Sequence, residues 1–271
     1  MPELPEVETV RRGLAPHLIG QTVAAVAVRQ PRLRWPVPEE LAARLPGRTI
    51  ERVERRAKYL LLGTDAGTVI VHLGMTGRLR LLPAATPPQT HDHADLTLTD
   101  GRCLRFTDSR RFGALLWTME PPERHPLLRT LGPEPFDPAF TGAYLRRCGQ
   151  GRRPAIKTLI MDHHIVVGVG NIYANEALFA AGINPFLPAG QVTEDECERL
   201  AAAIQDVLAE AIRHGGTTLR DFVGGDGQPG YFQRSLRVYD RRGGACAGCG
   251  QPIQRCRVGQ RSTYHCPNCQ P

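Results

Sequence analysis

Residues 246–269, CAGCGQPIQRCRVGQRSTYHCPNC, contain two Cys-x-x-Cys pairs that are separated by sixteen residues. Pairs at this separation are typical of a structural zinc site, in which two turns and the β-hairpin between them supply four thiolates. Disulfides are the alternative, but they are rare in the cytoplasm, where we place this chain. The spacing therefore predicts one structural Zn²⁺ ion, bound by Cys246, Cys249, Cys266 and Cys269. A site closed by four thiolates has no open position for catalysis.

The other four cysteines lie outside this pattern. Cys256 lies between the two pairs and is an extra thiol of the hairpin. Cys103, Cys148 and Cys197 are scattered along the chain, and we predict that they are small buried side chains.

The C-terminal segment that contains the cysteine pairs is strongly basic. Residues 231–271 contain seven arginines and one acid, Asp240, and this net charge of +6 is nearly the whole excess of +7. Arg261, near the tip of the predicted hairpin, would present a guanidinium fork to a phosphate. A solvated basic face is the alternative. The concentration of charge on a zinc hairpin favours a nucleic-acid partner.

Composition limits the classes of protein that remain. A chain of 271 residues suggests one or two domains. No apolar run approaches the ~18 residues of a membrane span, and the start lacks the regions of a signal peptide, so we expect a cytoplasmic protein. Among 34 basic residues, only Lys58 and Lys157 are lysines. Arginine cannot replace a compact ammonium group, so both lysines are candidate site residues.

Hydrophobic periodicity divides the chain into a β-rich first half and a helical second half. Residues 5–18 show the spacing of an amphipathic helix. Short alternating runs with hairpin turn residues then predict a β-sandwich or barrel-like layer. The predicted strands are 22–28, 49–53, 59–62, 68–72, 78–82, 94–98 and 103–106, with a short helix at 38–45. Residues 119–138 contain six prolines and predict a connecting segment.

The second half of the chain carries the sequence signals of helices rather than the alternating pattern of strands. Asn171 is the predicted N-cap of a helix that ends at Gly182. A capping box at Thr193 to Glu196 opens a long helix that extends to about His214. Two shorter helices are predicted at 141–148 and 154–161, and a glycine-rich mobile loop at 215–230. The glycine turn at 166–171 indicates either a backbone anion site or a plain connection between helices.

The chain begins Met1-Pro2-Glu3-Leu4-Pro5-Glu6-Val7-Glu8. Removal of Met1, which the small residue behind it permits, would make Pro2 a secondary amine with a pKa near ~8. Such an amine can attack a sugar carbon and form an iminium, and Glu3 can then transfer protons. Alternatively, Pro2 only starts the chain and Pro5 opens the first helix. This stretch alone favours the second interpretation.

Two loops combine apolar and basic side chains. Residues 72–78 read HLGMTGR and residues 108–113 read DSRRFG. Met75 and Phe112, if exposed, could enter a base stack, although each taken singly is more often a core residue. The triplet at 91–93, His-Asp-His, could bind a metal, but we favour an exposed strand entry. We assign no function to His163 or His164.

Together these motifs closely resemble the bacterial formamidopyrimidine-DNA glycosylases, which excise 8-oxoguanine and ring-opened purines. The resemblance extends almost from end to end. It rests on residues 2–8, 57–59, 72–77, 108–113 and 166–176, and on the four-cysteine hairpin with Arg261. Each motif is weak alone, but their combination in this order is highly specific.

The resemblance implies an α+β fold with DNA in a cleft between two domains. The expected parts are an N-terminal β-sandwich catalytic domain flanked by helices (1–133), a linker (134–150), a helix–two-turns–helix domain with a lesion-capping loop (151–230), and a zinc-ribbon finger (231–271). The expected partner is damaged double-stranded DNA, bound by a monomer that associates with the nucleoid while it scans.

The resemblance also implies residue roles. Pro2 would be the nucleophile at the sugar C1′, and Glu3 would be the acid/base. Lys58 and Arg261 are also predicted to be catalytic residues. Lys58, Arg261, His72 and Asn171 would contact phosphates, and Arg110 would face the orphaned cytosine. The full set of predicted DNA-contacting residues is His72, Met75, His91, Arg110, Arg111, Phe112, Lys157 and Asn171, of which Lys157 would lie near the damaged base.

These roles define a bifunctional enzyme. Pro2 would displace the base and form a Schiff base, and β,δ-elimination would then cut the strand on both sides, without a catalytic metal. Two alternatives stay open: an endonuclease VIII-like glycosylase for oxidised pyrimidines, against which Leu4 argues, and a non-catalytic zinc-ribbon DNA-binding protein.

Overall fold

The computed structural model describes residues 2–216 and 235–271, which fall into two compact units. The first unit holds residues 2–129 and 214–216, and the second holds residues 130–213 and 235–271. The predicted loop at 215–230 lies outside the described residues except for its first two. Within the described ranges, no helix is long and apolar enough to cross a membrane.

The first unit begins with helix α1 (Leu4–Leu18), which follows the predicted amphipathic pattern. Pro5 lies in its first turn, where the absence of a backbone N–H costs no hydrogen bond. Val7, Val10 and Leu14 are buried on one face at helical spacing. The helix therefore attaches the start of the chain to the hydrophobic core.

Two four-stranded antiparallel sheets form the rest of this unit. One sheet has the order β1-β6-β7-β5 and the other has the order β2-β3-β4-β8. Their strands are β1 (Val23–Val28), β2 (Arg52–Arg56), β3 (Tyr59–Thr64), β4 (Gly67–His72), β5 (Arg78–Pro83), β6 (Asp92–Leu98), β7 (Arg102–Thr107) and β8 (Ala114–Thr118). Side chains from both sheets and from α1 form a single hydrophobic core. The predicted β-rich layer is confirmed, as is the short helix α2 (Glu39–Arg44).

One predicted strand is displaced. The run at 49–53 is split, because Thr49 forms an isolated bridge with Thr22 whereas β2 pairs with β3 only from Arg52 onward. The bridge from Thr22 to Thr49 joins distant parts of the chain, whereas β2 and β3 form a hairpin, and local alternation alone does not show where one pairing ends and the other begins.

The triplet at 91–93 leads into strand β6, as predicted, but the prediction that it is exposed is wrong for two of its three residues. His91 is exposed, but Asp92 and His93 are buried at the start of β6. Asp92 accepts hydrogen bonds from the side chains of Arg80 and Thr107, and Arg105, which is 1% exposed, forms a two-point ion pair with Asp95. A buried guanidinium requires such partners, and the opposing strands supply them.

The second unit is helical and ends in a hairpin. Its elements are α3 (Gly142–Gly149), α4 (Ile156–Ile160), α5 (Asn171–Ala181), α6 (Glu194–Arg213), β9 (Gln254–Val258) and β10 (Arg261–His265). The capping box of α6 is confirmed, since the Glu196 backbone N–H donates to the Thr193 hydroxyl and the Thr193 N–H donates to the Glu196 carboxylate. Gly182 ends α5 in the left-handed conformation, as predicted. Helix α3 lies inside the segment 134–150, for which we predict a linker.

Two local predictions need correction. Asn171 is the first residue of α5 rather than its N-cap, because Gly170 has the extended backbone that precedes the helix. Cys103 and Cys197 are buried as predicted, whereas Cys148 is only half-buried near the C-terminal end of α3.

Candidate functional site

The predicted catalytic pair lies at the buried beginning of α1. Pro2 is buried and Glu3 is 3% exposed. The backbone N–H of Glu3 donates to the Glu6 carboxylate at 2.8 Å, which holds residues 2 and 3 against the first turn of the helix. Glu3 is thus a buried acid that directly follows, in sequence, the residue whose nitrogen would become a free secondary amine on removal of Met1.

His72 ends β4 and pairs across the sheet with Tyr59, the residue after Lys58. Burial, together with the positive charges of Arg34 and Lys58, lowers the pKa of His72 to about 4. Its Nδ1 accepts the Gly74 N–H at 3.0 Å, so in the neutral ring Nε2 carries the proton. His72 is therefore a neutral hydrogen-bond donor rather than a cation, and a neutral donor can still bind a phosphate oxygen.

The lowered pKa predicts a pH-dependent loss of stability. Unfolded His72 takes up a proton near pH ~6.5, but the folded ring does so only near pH 4, so its contribution to stability is complete above pH ~6.5 and is lost as the pH falls. We expect the unfolding free energy of the wild type to fall by up to about 3 kcal/mol relative to His72→Gln across this range. Urea unfolding of both proteins at several pH values measures the difference, and a pH-independent difference would contradict the assignment.

Asp108 connects the two predicted wedge loops, a role that is not among those predicted for the site residues. Its side chain is fully buried, and Oδ2 accepts the Gly113 N–H at 2.8 Å. Its Oδ1 accepts the Thr76 hydroxyl from the other loop and the Arg110 N–H. The carboxylate therefore holds both loops together. The sequence signal for this role is an acid that immediately follows a predicted strand and precedes a pair of arginines.

Gly74 is required at the contact between these loops. Its φ of +62° is in the left-handed region, and a Cβ there would lie 2.4 Å from the Phe112 carbonyl carbon. Any side chain at this position would therefore push the loops apart.

The tips of both loops are exposed, as their predicted wedge role requires. Met75 is 37% exposed and Phe112 is 45% exposed, and the Arg110 guanidinium lies 4.7 Å from the centre of the Phe112 ring. Arg111 is also exposed, with a φ of 55°. The loops line a cavity of about 700 Å³ to which Arg32 and Arg34 also contribute, neither of which is among the predicted site residues.

The four cysteines come together at the base of the β9–β10 hairpin. Their sulfur atoms lie within 4.8 Å of one another, with Cys246 Sγ 3.8 Å from Cys269 Sγ and Cys249 Sγ 3.4 Å from Cys266 Sγ. Sulfurs that bind one tetrahedral zinc at about 2.3 Å lie about 3.8 Å apart. The donor set therefore fits a structural zinc ion, as the spacing predicts. Cys256 is exposed on β9 and is not part of the cluster.

Arg261 and Lys157 are connected through strand β10. Arg261 is the exposed first residue of the strand and lines a cavity of about 410 Å³ with Arg152. Lys157, on α4, is 1% exposed, and its Nζ donates to the Ser262 carbonyl and the Thr263 hydroxyl, both at 2.9 Å. The ammonium therefore contacts the two residues that follow Arg261. The scarcity of lysine identified this residue, but it could not reveal these partners.

Two buried side chains of α5 accept hydrogen bonds from the backbone of the C-terminal segment. Glu176 accepts three backbone N–H groups, from residues 237, 238 and 239, and the Asn175 side chain accepts the Tyr264 N–H at 2.8 Å. Burial nevertheless raises the pKa of Glu176. Both residues lie in the stretch 166–176 that carries the resemblance, but neither has a predicted role.

Asn171 begins α5 after the predicted glycine turn, in which Gly168 has a φ of +84°. Its Oδ1 is buried and has no hydrogen-bond partner among the described residues. Asn171 therefore has one buried polar atom whose hydrogen bonding the described residues do not complete.

The predicted site residues are thus divided between the two units. The first unit carries Pro2, Glu3, Lys58, His72, Met75, His91, Arg110, Arg111 and Phe112. The second unit carries Lys157, Asn171, Arg261 and the four zinc cysteines.

Two family models match this chain and define its class. The formamidopyrimidine-DNA glycosylase N-terminal domain matches residues 1–115, and the formamidopyrimidine-DNA glycosylase H2TH domain matches residues 131–223. The chain therefore combines the sheet-rich and helical domains of one class of DNA-repair glycosylase.

Individual relatives are similar to this chain along its full length. The formamidopyrimidine-DNA glycosylases of Methylococcus capsulatus and Pseudomonas aeruginosa are 58% and 59% identical, each over 100% of both chains. The MutM (Fpg) structure from Thermus thermophilus has a TM-score of 0.89 at 43% identity and covers 99% of this chain and 98% of its own. Lactococcus lactis Fpg bound to abasic-site DNA has a TM-score of 0.91 at 34% identity, with 99% coverage of both chains. The chain belongs to the formamidopyrimidine-DNA glycosylase family.

Proposed function

We propose that this chain is a bifunctional base-excision repair enzyme, which removes oxidised purines from duplex DNA and then cleaves the strand at the abasic site. The observation that carries the proposal is the placement of Pro2 and Glu3 at the buried start of α1 in a member of this family. The Lactococcus lactis Fpg structures with DNA containing Fapy-dG or an abasic site support both the substrate and the lyase step.

The chemistry begins at the amine of Pro2 after Met1 has been removed. The nitrogen forms a bond to C1′ while the glycosidic bond breaks, and the base leaves with the electron pair and takes up a proton. Ring opening of the sugar then gives an iminium, which acidifies the C2′ proton. Loss of that proton breaks the C3′–O bond, and δ-elimination then breaks the C5′–O bond. Glu3 is the group that transfers protons in these steps.

DNA binding supplies the energy that brings the damaged nucleotide out of the helix. Lys58, His72, Asn171 and Arg261 contact phosphates, which sets the register of the duplex. Met75, Arg110 and Phe112 enter the vacated position, with Arg110 opposite the orphaned cytosine and Arg111 and His91 as further contacts. We place this activity in a single chain acting on the nucleoid in the bacterial cytoplasm.

The roles of Lys157 and Arg261 are separable by mutation. We expect Arg261→Ala to weaken DNA binding and to reduce the salt slope by about 1, because one phosphate contact is lost. Lys157→Met should produce much of the same loss, since Lys157 positions the strand that begins at Arg261. The double variant should then be no weaker than Arg261→Ala alone.

Binding isotherms at several salt concentrations test this prediction, with Arg124→Ala as a control for the loss of one exposed arginine. Zinc content should be unchanged in every variant. If the two losses are additive, Lys157 acts independently of Arg261, and a contact with the damaged base becomes the better assignment.

Borohydride trapping tests the proposed function. The protein is incubated with an 8-oxoguanine:cytosine duplex and borohydride, and the adduct is mapped by peptide mass spectrometry. We expect a covalent adduct at Pro2, which would establish the amine mechanism, the substrate class and the removal of Met1 together. If the N-terminus is free proline and binding is tight but no adduct forms, the proposal fails for this lesion. A duplex with an oxidised pyrimidine then tests the endonuclease VIII-like alternative.

A further inference from the structure

Asp162, His163 and His164 form a compact group of metal-ligand side chains on the turn between α4 and α5. One ligand atom from each lies within 4.8 Å of the others, and both histidines are exposed. The zinc cluster uses none of these residues, and the proposed glycosylase chemistry requires none of them. Two imidazoles and a carboxylate are a donor set that binds first-row transition metals.

A hydrogen bond determines which nitrogen of His164 is available to a metal. Its Nδ1 lies 2.8 Å from the Thr130 carbonyl oxygen. A carbonyl oxygen can only accept, so Nδ1 carries the proton and the lone pair of the neutral ring is on Nε2. This carbonyl contact is the outer-shell arrangement that fixes the tautomer and ring direction of metal-bound histidines.

The backbone of the turn is held in place as well. The His164 N–H donates to Asp162 Oδ1 at 2.9 Å, and the Gly132 N–H donates to the His163 carbonyl at 2.9 Å. A Cβ at Gly132 would lie 2.7 Å from the His164 carbonyl oxygen, so this backbone approach needs glycine. The His163 and His164 ring centres are 4.2 Å apart. The three donors are therefore close together before any ion binds, which reduces the ordering cost of binding.

We propose that Asp162, His163 and His164 form a second metal site, which binds a divalent first-row transition ion such as Ni²⁺ or Zn²⁺. Three protein ligands leave coordination positions open to water, unlike the closed four-thiolate site. Asp162 also lines the cavity to which Arg261 contributes and is the acid in its wall. A bound dication would therefore reverse the local charge beside a proposed phosphate contact.

Titration of the zinc-loaded, untagged full chain with Ni²⁺ tests the site. Isothermal titration calorimetry should show one saturable equivalent beyond the ribbon zinc, without the sulfur-to-nickel charge-transfer absorption that entry into the ribbon would cause. His163→Gln and His164→Gln should each weaken binding at least as much as the loss of an outer-shell partner, about 10–100-fold. Asp162→Asn keeps the turn hydrogen bond and should also weaken binding. His17→Gln, which removes an exposed histidine of the first unit, should bind as the wild type does.

Two results would overturn the proposal: no saturable Ni²⁺ binding in the wild type, or unchanged binding in both histidine variants. Thermal unfolding and zinc content identify any variant that fails to fold. If one histidine variant fails to fold, the other histidine variant tests the proposal. Borohydride trapping at Pro2 is independent of this outcome, so the metal site and the glycosylase function can fail separately.

Discussion

Glu3→Gln should abolish base excision while leaving DNA binding and folding intact. The amide keeps the size of the buried side chain but cannot transfer a proton, and the backbone N–H of residue 3 still donates to Glu6. Loss of a positioned general acid or base costs about 10²–10⁴-fold in rate. Single-turnover excision of 8-oxoguanine from a duplex measures the effect directly.

Two comparisons make this result specific. Glu40→Gln removes an exposed carboxylate on α2 and should excise at the wild-type rate. Pro2→Gly keeps an amine at the new terminus, so it should weaken strand cleavage without removing the proton donor. Wild-type excision by Glu3→Gln would sink the proposed mechanism, because no other role of Glu3 requires a titratable group.

Cys266→Ser should unfold the C-terminal hairpin and abolish specific DNA binding. In small domains, structural zinc contributes about 10–16 kcal/mol to the free energy of folding. The loss of one thiolate weakens zinc binding and therefore removes most of this stabilisation. The buried contacts around Cys266, including its N–H bond to Gln270, would be lost with the ion. Zinc content and duplex affinity are the two measurements.

Cys256→Ser is the matched control, because Cys256 lies on the same hairpin outside the cluster and is exposed. It should retain zinc and affinity. The first unit has its own core, so the region around Pro2 should keep its wild-type protection from hydrogen exchange in Cys266→Ser. Unchanged DNA affinity in Cys266→Ser would refute the role of the zinc module in binding.

Much of the secondary structure and the zinc site could be predicted because their signals are local. The capping box involves two residues that are three positions apart, and α1 follows a helical repeat of apolar residues. The zinc ligands are predicted by two Cys-x-x-Cys pairs. The resemblance added roles for Pro2, Glu3 and Arg261, which stay predictions. The start of β2 was misplaced because extended residues do not indicate which neighbour they will pair with.

The sequence by itself determined the family, the two halves of the chain and the donor set of the zinc ion. Tertiary structure decided what the polar side chains contact. Asp108 bonds to Thr76 across 32 positions, and Lys157 bonds to Thr263 across 106. The neutral state of His72 likewise depends on burial and on the charges that the fold brings near it. Periodicity and spacing describe neighbours along the chain, whereas desolvation and hydrogen bonding depend on neighbours in space.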